Sequence, residues 1–407
     1  MPVVPSSDSR LTSYRWLILA AATASQASAS FATQGLAALA GFLQMDLQLT
    51  TTEVGLLFTA VGLAPIVTLL FVGDLLDRQS ERVIIGIGTI IISCGLIAAT
   101  LTQSFAMLLA TLFMIGIGYS TIQPGGSRSV SKWFRSNQLG MAMGVRQAGL
   151  PLGGAAAAVA LPLIVGLRDW RAAMLFSAFI VLVGGAVFWF VYRPPGLTNR
   201  GQGRSALSAA YLIAIVRQKW MRRVIWSGLA LAGSQCGIVV YLMLFLRDRL
   251  GIPLYQGAFF LFLVQLFGGA GRILLSTWSD RCGKAGKRFF PVSVSMISTV
   301  LGLLALIHLP AEAPVFMLVG VVGWLGFFAL GWYGPWVTYV ADSSPQDSVG
   351  LALGAAMTVT QIAIVSAPPL LGMVHDFTQN YDFLWYSLIA WITVAGWVIR
   401  PGQAISH

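Results

Sequence analysis

The chain has 407 residues, of which 57% are hydrophobic and 10% are charged, and its mean hydropathy is +0.79. A soluble protein carries about 25% charged residues, so this composition excludes an ordinary soluble protein and indicates a chain that crosses a membrane repeatedly. The net charge of +11 does not predict a nucleic-acid partner, because the basic residues lie in short segments between apolar runs.

The apolar runs predict an all-α membrane protein. A spanning helix needs about 20 mostly apolar residues. The first run begins "RWLILAAATASQASA", which also resembles a secretory leader, but its removal would leave an odd number of helices. We therefore predict twelve spanning segments: 15–40, 52–73, 83–103, 105–129, 138–166, 170–192, 223–247, 254–279, 289–309, 313–340, 348–373 and 382–400.

A stretch rich in Pro, Gly and Arg follows the sixth segment and predicts a cytoplasmic linker at 193–222, between an N-terminal bundle at 1–192 and a C-terminal bundle at 223–407. With both termini inside, cytoplasmic segments hold 19 of the 25 Lys and Arg residues. Since basic residues favour the cytoplasmic side, we predict a multi-pass protein of the cell (plasma or inner) membrane with both termini cytoplasmic.

The two halves repeat. "GDLLDR" at 73–78 aligns with "STWSDR" at 276–281, and "FLQMDL" at 42–47 aligns with "FLRDRL" at 245–250. "GMAMG" at 140–144 also aligns with "GLALG" at 350–354. Three fragments in the same order, each at an equivalent helix boundary, indicate a duplicated six-helix unit. Parallel repeats of this kind place a substrate site near the midplane between the halves.

Residues 73–82, "GDLLDRQSER", resemble the G-x-L-x-D-R-x-G-R-K/R loop of the major facilitator superfamily, with Ser80 in place of the usual Gly. The second copy retains Asp280, Arg281 and Gly283 but has Ser276 for the first Gly. The resemblance implies two pseudo-symmetric bundles of six helices that work by alternating access. It also implies a transporter rather than an enzyme, with no cofactor or metal.

In that superfamily the loop supports a cytoplasmic gate. Asp77 is expected to cap a helix N-terminus in the other half, or to pair with Arg128 or Arg78. The second copy implies the same role for Asp280 and Arg281. The alternative is that these charges only fix the topology.

Arg146 and Arg272 lie inside predicted helices. An arginine at the centre of a spanning helix costs about 2.5–3.5 kcal/mol on insertion scales, and such residues normally face an interior cavity. Arg272 lies eight residues before Asp280, about 12 Å inside the helix at 1.5 Å per residue. The fourteen acidic residues all fall in loops or at helix ends, which argues against an internal ion pair. We predict that both arginines bind an anion; for Arg146 a structural role is the alternative.

The spacing from Arg272 to Asp280 and Arg281 resembles helix eight of the monocarboxylate and oxalate/formate branch, where this arginine binds the anion. Segment 348–373 has no lysine, whereas oxalate exchangers have one there, so the resemblance favours a monocarboxylate over a dicarboxylate. Gly268 departs from eukaryotic members, which often have Asp. The pattern G-x-R-Q-A-G-x-P-x-G at 144–153 resembles cyanate and nitrate permeases, so an inorganic anion stays open.

The superfamily lines its cavity with helices one, four, seven and ten. The polar and aromatic candidates on them are Gln26, Tyr119, Gln123, Gln235, Tyr241, Tyr333, Trp336 and Tyr339. We select Tyr119, Gln123 and Tyr333 as substrate-binding residues. The glycines in "GWYGP", residues 331–335, predict a bend.

No helix interior contains a carboxylate or histidine to carry a proton. We therefore predict that a proton enters together with a small anionic substrate; anion exchange is the competing mechanism. Drug efflux is a further alternative, favoured by the glycine-rich fifth helix, and a non-transporting sensor is another. We predict a monomer whose other partner is the lipid bilayer.

Overall fold

The computed structural model of the protein describes residues 7–134, 136–194, 218–284, 287–310, 312–344 and 349–399. Helices account for nearly all of these residues, as predicted. They are α1 (Ser7–Leu47), α2 (Thr51–Arg78), α3 (Glu81–Thr100), α4 (Phe105–Ser131), α5 (Ser136–Leu167), α6 (Trp170–Val191), α7 (Lys219–Leu250), α8 (Leu254–Lys284), α9 (Phe290–Ile307), α10 (Val315–Leu325), α11 (Tyr333–Ser343), α12 (Val349–Thr378) and α13 (Tyr381–Ile399).

Eleven stretches among the described residues are long and apolar enough to cross a membrane. One of these stretches, Val315–Ser343, combines α10, the π-helical turn and α11. Of the twelve predicted segments, the one not among the eleven lies in α1, which carries buried polar side chains such as Ser25, Gln26 and Ser30. Large apolar side chains are exposed on other helices, for example Phe190 at 76% and Phe316 at 74%. Such surfaces suit lipid, and helices satisfy their own backbone groups in it. The predicted all-α membrane fold is confirmed.

The tenth predicted segment, 313–340, is a helix with an interruption. α10 ends at Leu325, a π-helical turn follows at Gly326–Leu330, and α11 begins at Tyr333. The interruption lies beside the glycines that predicted a bend. π-Helical turns are rare and occur frequently at functional sites.

Contacts between Cα atoms divide the chain into two compact units. The first comprises Met1–Leu36 and Ala60–Gln202. Within it, α3 packs against α4 and α6. The backbones of α3 and α4 approach closely because neither contact residue has a side chain: a Cβ on Gly88 would lie 2.7 Å from the Gly118 carbonyl oxygen. Small residues permit such approaches in membranes.

The second unit comprises Ala37–Thr59 and Gly203–His407. Within it, α7 packs against α12 and α13, and α8 packs against the π-helical turn. The unit also contains the end of α1 and the start of α2. The domain boundaries predicted from the sequence stay a prediction, and residues 195–217 of the predicted linker lie outside the described residues.

Candidate functional site

Arg272 lies within α8, where this helix packs against the π-helical turn. Glycines permit the approach: a Cβ on Gly268 would lie 2.7 Å from the Cβ of Leu330, and one on Gly271 would collide with the Phe327 carbonyl. The Nε of Arg272 donates a hydrogen bond of 3.2 Å to the Leu330 carbonyl. The last residue of the π-helical turn therefore orients the guanidinium.

The ring of Tyr333 lies beside this guanidinium. The Cζ atom of Arg272 is 5.6 Å from the ring centroid, within the range of a cation–π interaction. Both residues are partly exposed. The neighbouring Trp332 is buried, and its indole N–H donates to the Oε1 of Gln235 at 3.0 Å. This bond holds the start of α11 against α7, so the backbone at Tyr333 is held in position.

Arg146 has different surroundings, in the first unit. Its side chain lies on α5 and is fully buried, with 0% exposure. The Nη2 atom donates to the Gln123 carbonyl at 2.8 Å, to the Ile122 carbonyl at 3.2 Å and to the Oε1 of Gln26 at 3.0 Å. A Cβ on Gly126 would lie 2.6 Å from Nε, so this glycine leaves space for the guanidinium.

Tyr119 and Gln123 are also part of this arrangement. The Nε2 of Gln26 donates to the Tyr119 hydroxyl and to the Oγ of Ser30, both at 3.2 Å. The Oε1 of Gln123 lies 3.4 Å from the Nη1 of Arg146. Tyr119 and Gln123 are partly exposed, one turn apart on α4. The structure thus brings the predicted residues of the first unit together, and Arg272 with Tyr333 in the second. Their substrate-binding role stays a prediction.

A buried carboxylate lies at the end of the first unit that the Lys and Arg count predicts to be cytoplasmic. Glu81 begins α3 and is fully buried. One oxygen pairs with Nε of Arg128 at 3.0 Å and with Nζ of Lys132 at 2.5 Å. The other accepts from the Tyr192 hydroxyl at 2.9 Å. Burial, and next the charge of Glu81, raise the pKa of Tyr192 above its ordinary value.

The sequence motif contains Glu81, but the spacing of the motif did not predict that this acid is buried. The feature that could have indicated it is the position of Glu81 in the first turn of a helix, where four backbone N–H groups have no helical partner. Arg128, predicted as a gating residue, has Glu81 as a partner. Arg78 pairs with Asp74 at 3.0 Å on the surface. The side chain of Asp77 lies outside the described part of the chain, so its capping role stays a prediction.

The second copy of the motif has the opposite arrangement of charge. Arg288 precedes α9 and pairs with Asp280 at 2.9 Å and with Asp342 at 2.5 Å. A Cβ on Gly283 would lie 2.4 Å from the Cζ of Arg288, so this guanidinium packs against the glycine. Arg281 is exposed. In this copy a cation joins two acids, whereas Glu81 joins two cations.

A third cluster, at the predicted outer end of the second unit, was not anticipated from the sequence. The carboxylate of Asp376, near the end of α12, accepts from the backbone N–H groups of Thr51 at 3.0 Å and Thr52 at 2.8 Å. These are the first two residues of α2. The Nδ1 of His375 lies 2.8 Å from the Thr51 hydroxyl. An acid of one helix therefore caps the N-terminus of another.

Comparison with known proteins supplies a family. A sequence profile of the Major Facilitator Superfamily matches residues 22–368. An uncharacterized MFS-type transporter of Mycobacterium tuberculosis is 24% identical over 372 residues, which are 91% of this chain and 81% of the relative. A probable galactarate/D-glucarate transporter of Bacillus subtilis is 24% identical, with 84% of this chain and 81% of the relative covered. A probable L-galactonate transporter of Escherichia coli is 22% identical, with 83% and 78% covered.

Solved structures agree on the fold. A bacterial homolog of the human lysosomal transporter Spinster, in an inward-facing and unoccupied conformation, has a TM-score of 0.76 to this chain. The two are 15% identical, and the match covers 95% of this chain and 96% of the other.

Proposed function

From the premise that this chain belongs to the major facilitator superfamily, we propose that it is a secondary active transporter of a small organic anion, a monocarboxylate, bound by Arg272. The family and its relatives are transporters, so the protein is not an enzyme. It is a multi-pass membrane protein. The Lys and Arg distribution supports the proposal that both termini are cytoplasmic. We also propose that the protein is a monomer in the plasma or inner membrane.

The observation that carries this proposal is the setting of Arg272. A permanent cation stands within an apolar helix, partly exposed, and is oriented by the Leu330 carbonyl and the Tyr333 ring. A guanidinium presents parallel N–H groups that match the two oxygens of a carboxylate. Because its plane is held before substrate arrives, less entropy is lost on binding.

The relatives support an organic acid. Two of them are named as probable transporters of galactarate/D-glucarate and of L-galactonate. We favour a monocarboxylate such as the second because α12, at Val349–Thr378, contains no lysine that could bind a second carboxylate.

We propose that a proton accompanies the substrate. The acidic residues of the chain lie in loops or at helix ends by sequence, so a protein carboxylate in mid-membrane does not supply the carrier. An external pH jump on proteoliposomes loaded with L-galactonate separates the two mechanisms. Co-transport predicts uptake that follows the proton gradient. Uptake that ignores the gradient but requires internal anion identifies an exchanger.

Replacement of Arg272 by Lys tests the binding role. Lys keeps the charge and loses the paired N–H geometry, so we expect uptake of L-galactonate to fall at least about tenfold, the value of one charged hydrogen bond. The control is Arg249→Lys, an exposed arginine at the end of α7. Normal uptake by Arg272→Lys at equal expression would contradict the assignment.

The resemblance of residues 144–153 to nitrate and cyanate permeases leaves an inorganic anion as the second candidate. Thermal shifts of purified protein with L-galactonate, D-glucarate, acetate, nitrate and cyanate decide between them. Stabilisation by nitrate or cyanate alone would replace the organic acid with an inorganic anion as the substrate.

A further inference from the structure

Arg146 is connected to the hydroxyl of a partly exposed tyrosine by two consecutive hydrogen bonds. Its Nη2 contacts the Oε1 of Gln26 at 3.0 Å. The Nε2 of Gln26 contacts the Tyr119 hydroxyl at 3.2 Å. Arg146 and Gln26 are both 0% exposed, whereas Tyr119 is partly exposed. The chain of bonds therefore runs from a buried charge to a partly exposed residue.

The chemistry of the end group fixes the direction of every bond. A guanidinium has donors and no acceptor. The atom of Gln26 that faces Arg146 must therefore be its oxygen, which resolves the usual ambiguity of an amide. The amide nitrogen then faces Tyr119 and Ser30, and it too can only donate. The Tyr119 oxygen is consequently an acceptor in this bond.

An acceptor role at its oxygen directs the Tyr119 proton away from Gln26. Within the described part of the chain the hydroxyl makes no other hydrogen bond. Hydrogen bonds in series polarise one another, so a positive charge at the start strengthens the donor at the end. Tyr119 is thus prepared to donate to an anion.

We propose that Arg146 and Gln26 are positioning residues that fix the Tyr119 hydroxyl as a hydrogen-bond donor for an oxygen of the substrate. This inference rests on the proposed transport of an organic anion. It assigns the buried guanidinium an indirect role, because three oxygens already surround its Nη2 within 3.2 Å. Gln123 extends the same arrangement: its Oε1 faces Arg146 at 3.4 Å, which turns its amide nitrogen away.

Gln26→Glu is the sharpest test, because it preserves size and reverses the direction of one bond. A glutamate still accepts from Arg146, but its second oxygen cannot donate. The Tyr119 hydroxyl must then donate to the glutamate, so it can no longer donate to the substrate. Infrared spectra with 13C-labelled tyrosine, taken as the difference between each protein and its Tyr119→Phe counterpart, isolate this hydroxyl without any ligand.

The C–O stretch of a tyrosine lies at lower frequency when the hydroxyl accepts than when it donates. We expect the accepting signature in the native protein and the donating signature in Gln26→Glu. A donating signature in the native protein would contradict the proposed direction of the hydrogen bonds from Arg146 through Gln26 to Tyr119, whatever the protein transports.

The transport assay tests the use of that donor. We expect Tyr119→Phe and Gln26→Glu each to raise the KM for L-galactonate about tenfold. The double variant should be little worse than either, because both changes remove one donor. A merely structural or electrostatic effect of Gln26→Glu would persist in the Tyr119→Phe background. Ser93→Ala, which removes a buried hydroxyl of α3, is the control for loss of packing.

The outcomes separate the two proposals. Loss of uptake in Arg272→Lys with an unchanged KM in Gln26→Glu and Tyr119→Phe would refute the positioning role and keep the transport role. If none of L-galactonate, D-glucarate and acetate stabilised the native protein, both the organic-anion function and the donor role of Tyr119 would fall, although the infrared spectra would still decide the direction of the bonds.

Discussion

The two arginines inside helices have the same predicted function and different environments. Arg146 is fully buried among two carbonyls and two glutamine side chains. Arg272 is partly exposed, and its contacts include the Leu330 carbonyl and the Tyr333 ring. The surroundings of Arg146 satisfy its charge with protein oxygens. The surroundings of Arg272 orient its guanidinium and leave the residue partly exposed.

This difference shows that depth along a helix does not determine what a buried charge does. Both residues lie well inside their helices, but the neighbouring helices determine whether protein oxygens surround the guanidinium. Gln26 and Gln123 supply acceptors to Arg146. The π-helical turn supplies the Leu330 carbonyl to Arg272, and the start of α11 supplies the Tyr333 ring. We therefore expect loss of Arg146 to affect stability first, and loss of Arg272 to affect transport first.

The largest contrast should come from replacing each arginine by leucine. Arg146→Leu leaves several buried oxygens without their donor, so we expect a loss of about 3 kcal/mol and low yield of folded protein. Arg272→Leu removes a costly charge from an apolar helix and should change stability by less than about 1 kcal/mol, while uptake disappears. Thermal unfolding in detergent and proteoliposome uptake measure the two effects.

An Arg146→Leu protein as stable as the native one would show that its hydrogen bonds are dispensable. Equal losses of stability in both variants would remove the distinction between the two environments. Arg249→Leu, at an exposed position, controls for a generic effect of removing a guanidinium.

The predicted cytoplasmic ends of the two units extend the comparison. The Glu81 side chain is 1% exposed between two cations, whereas the Asp280 side chain is 65% exposed beside Arg288. Glu81→Gln leaves Arg128 and Lys132 without their shared acid. Their side chains are 34% and 27% exposed, so we expect a loss of about 2 kcal/mol rather than the larger value of a fully buried pair.

Asp280→Asn should lose less than about 1 kcal/mol, because water and Asp342 still satisfy Arg288. Thermal unfolding of the two variants side by side measures the difference. A greater loss in Asp280→Asn than in Glu81→Gln would mean that exposure does not decide the strength of these clusters.

Much of the fold could be predicted from the sequence because a membrane imposes strong local rules. Apolar runs of sufficient length gave the spanning helices, and the glycines beside Tyr333 indicated the interruption before α11. The positions of Arg146 and Arg272 followed from the same runs. Each of these features depends on the residues of one helix.

The partners of those residues could not be predicted, since they belong to other helices. Nothing near Arg272 in sequence indicates that the Leu330 carbonyl would hold it, because this contact requires Gly268 and Gly271 to admit a particular neighbour. By sequence Glu81 resembles an ordinary loop acid. Only the structure shows that two cations at the end of α4, Arg128 and Lys132, pair with it. Asp376 and the start of α2 are separated by more than 300 residues.

That last pair predicts a smaller effect than Arg146 or Glu81 and gives a direct test of helix capping. The sequence predicted that Asp77 caps a helix N-terminus or pairs with Arg128 or Arg78; in the structure it is Asp376 that caps α2. Asp376→Ala removes the acceptor for the N–H groups of Thr51 and Thr52. We expect a loss of about 1 kcal/mol and faster hydrogen exchange in the first turn of α2, because its amides lose their partner. Mass spectrometry of a peptide spanning 47–60 measures that exchange.

The matched control is Glu312→Ala, which removes an exposed acid from a turn before α10 and should leave the exchange of 47–60 unchanged. Asp376→Asn should fall between the two, since its amide oxygen keeps one of the two acceptors. Unchanged exchange in Asp376→Ala would show that the first turn of α2 is held by its packing in the second unit. In that case Gly55 and Gly372, whose missing side chains let α2 and α12 meet backbone to backbone, would be the residues to replace next.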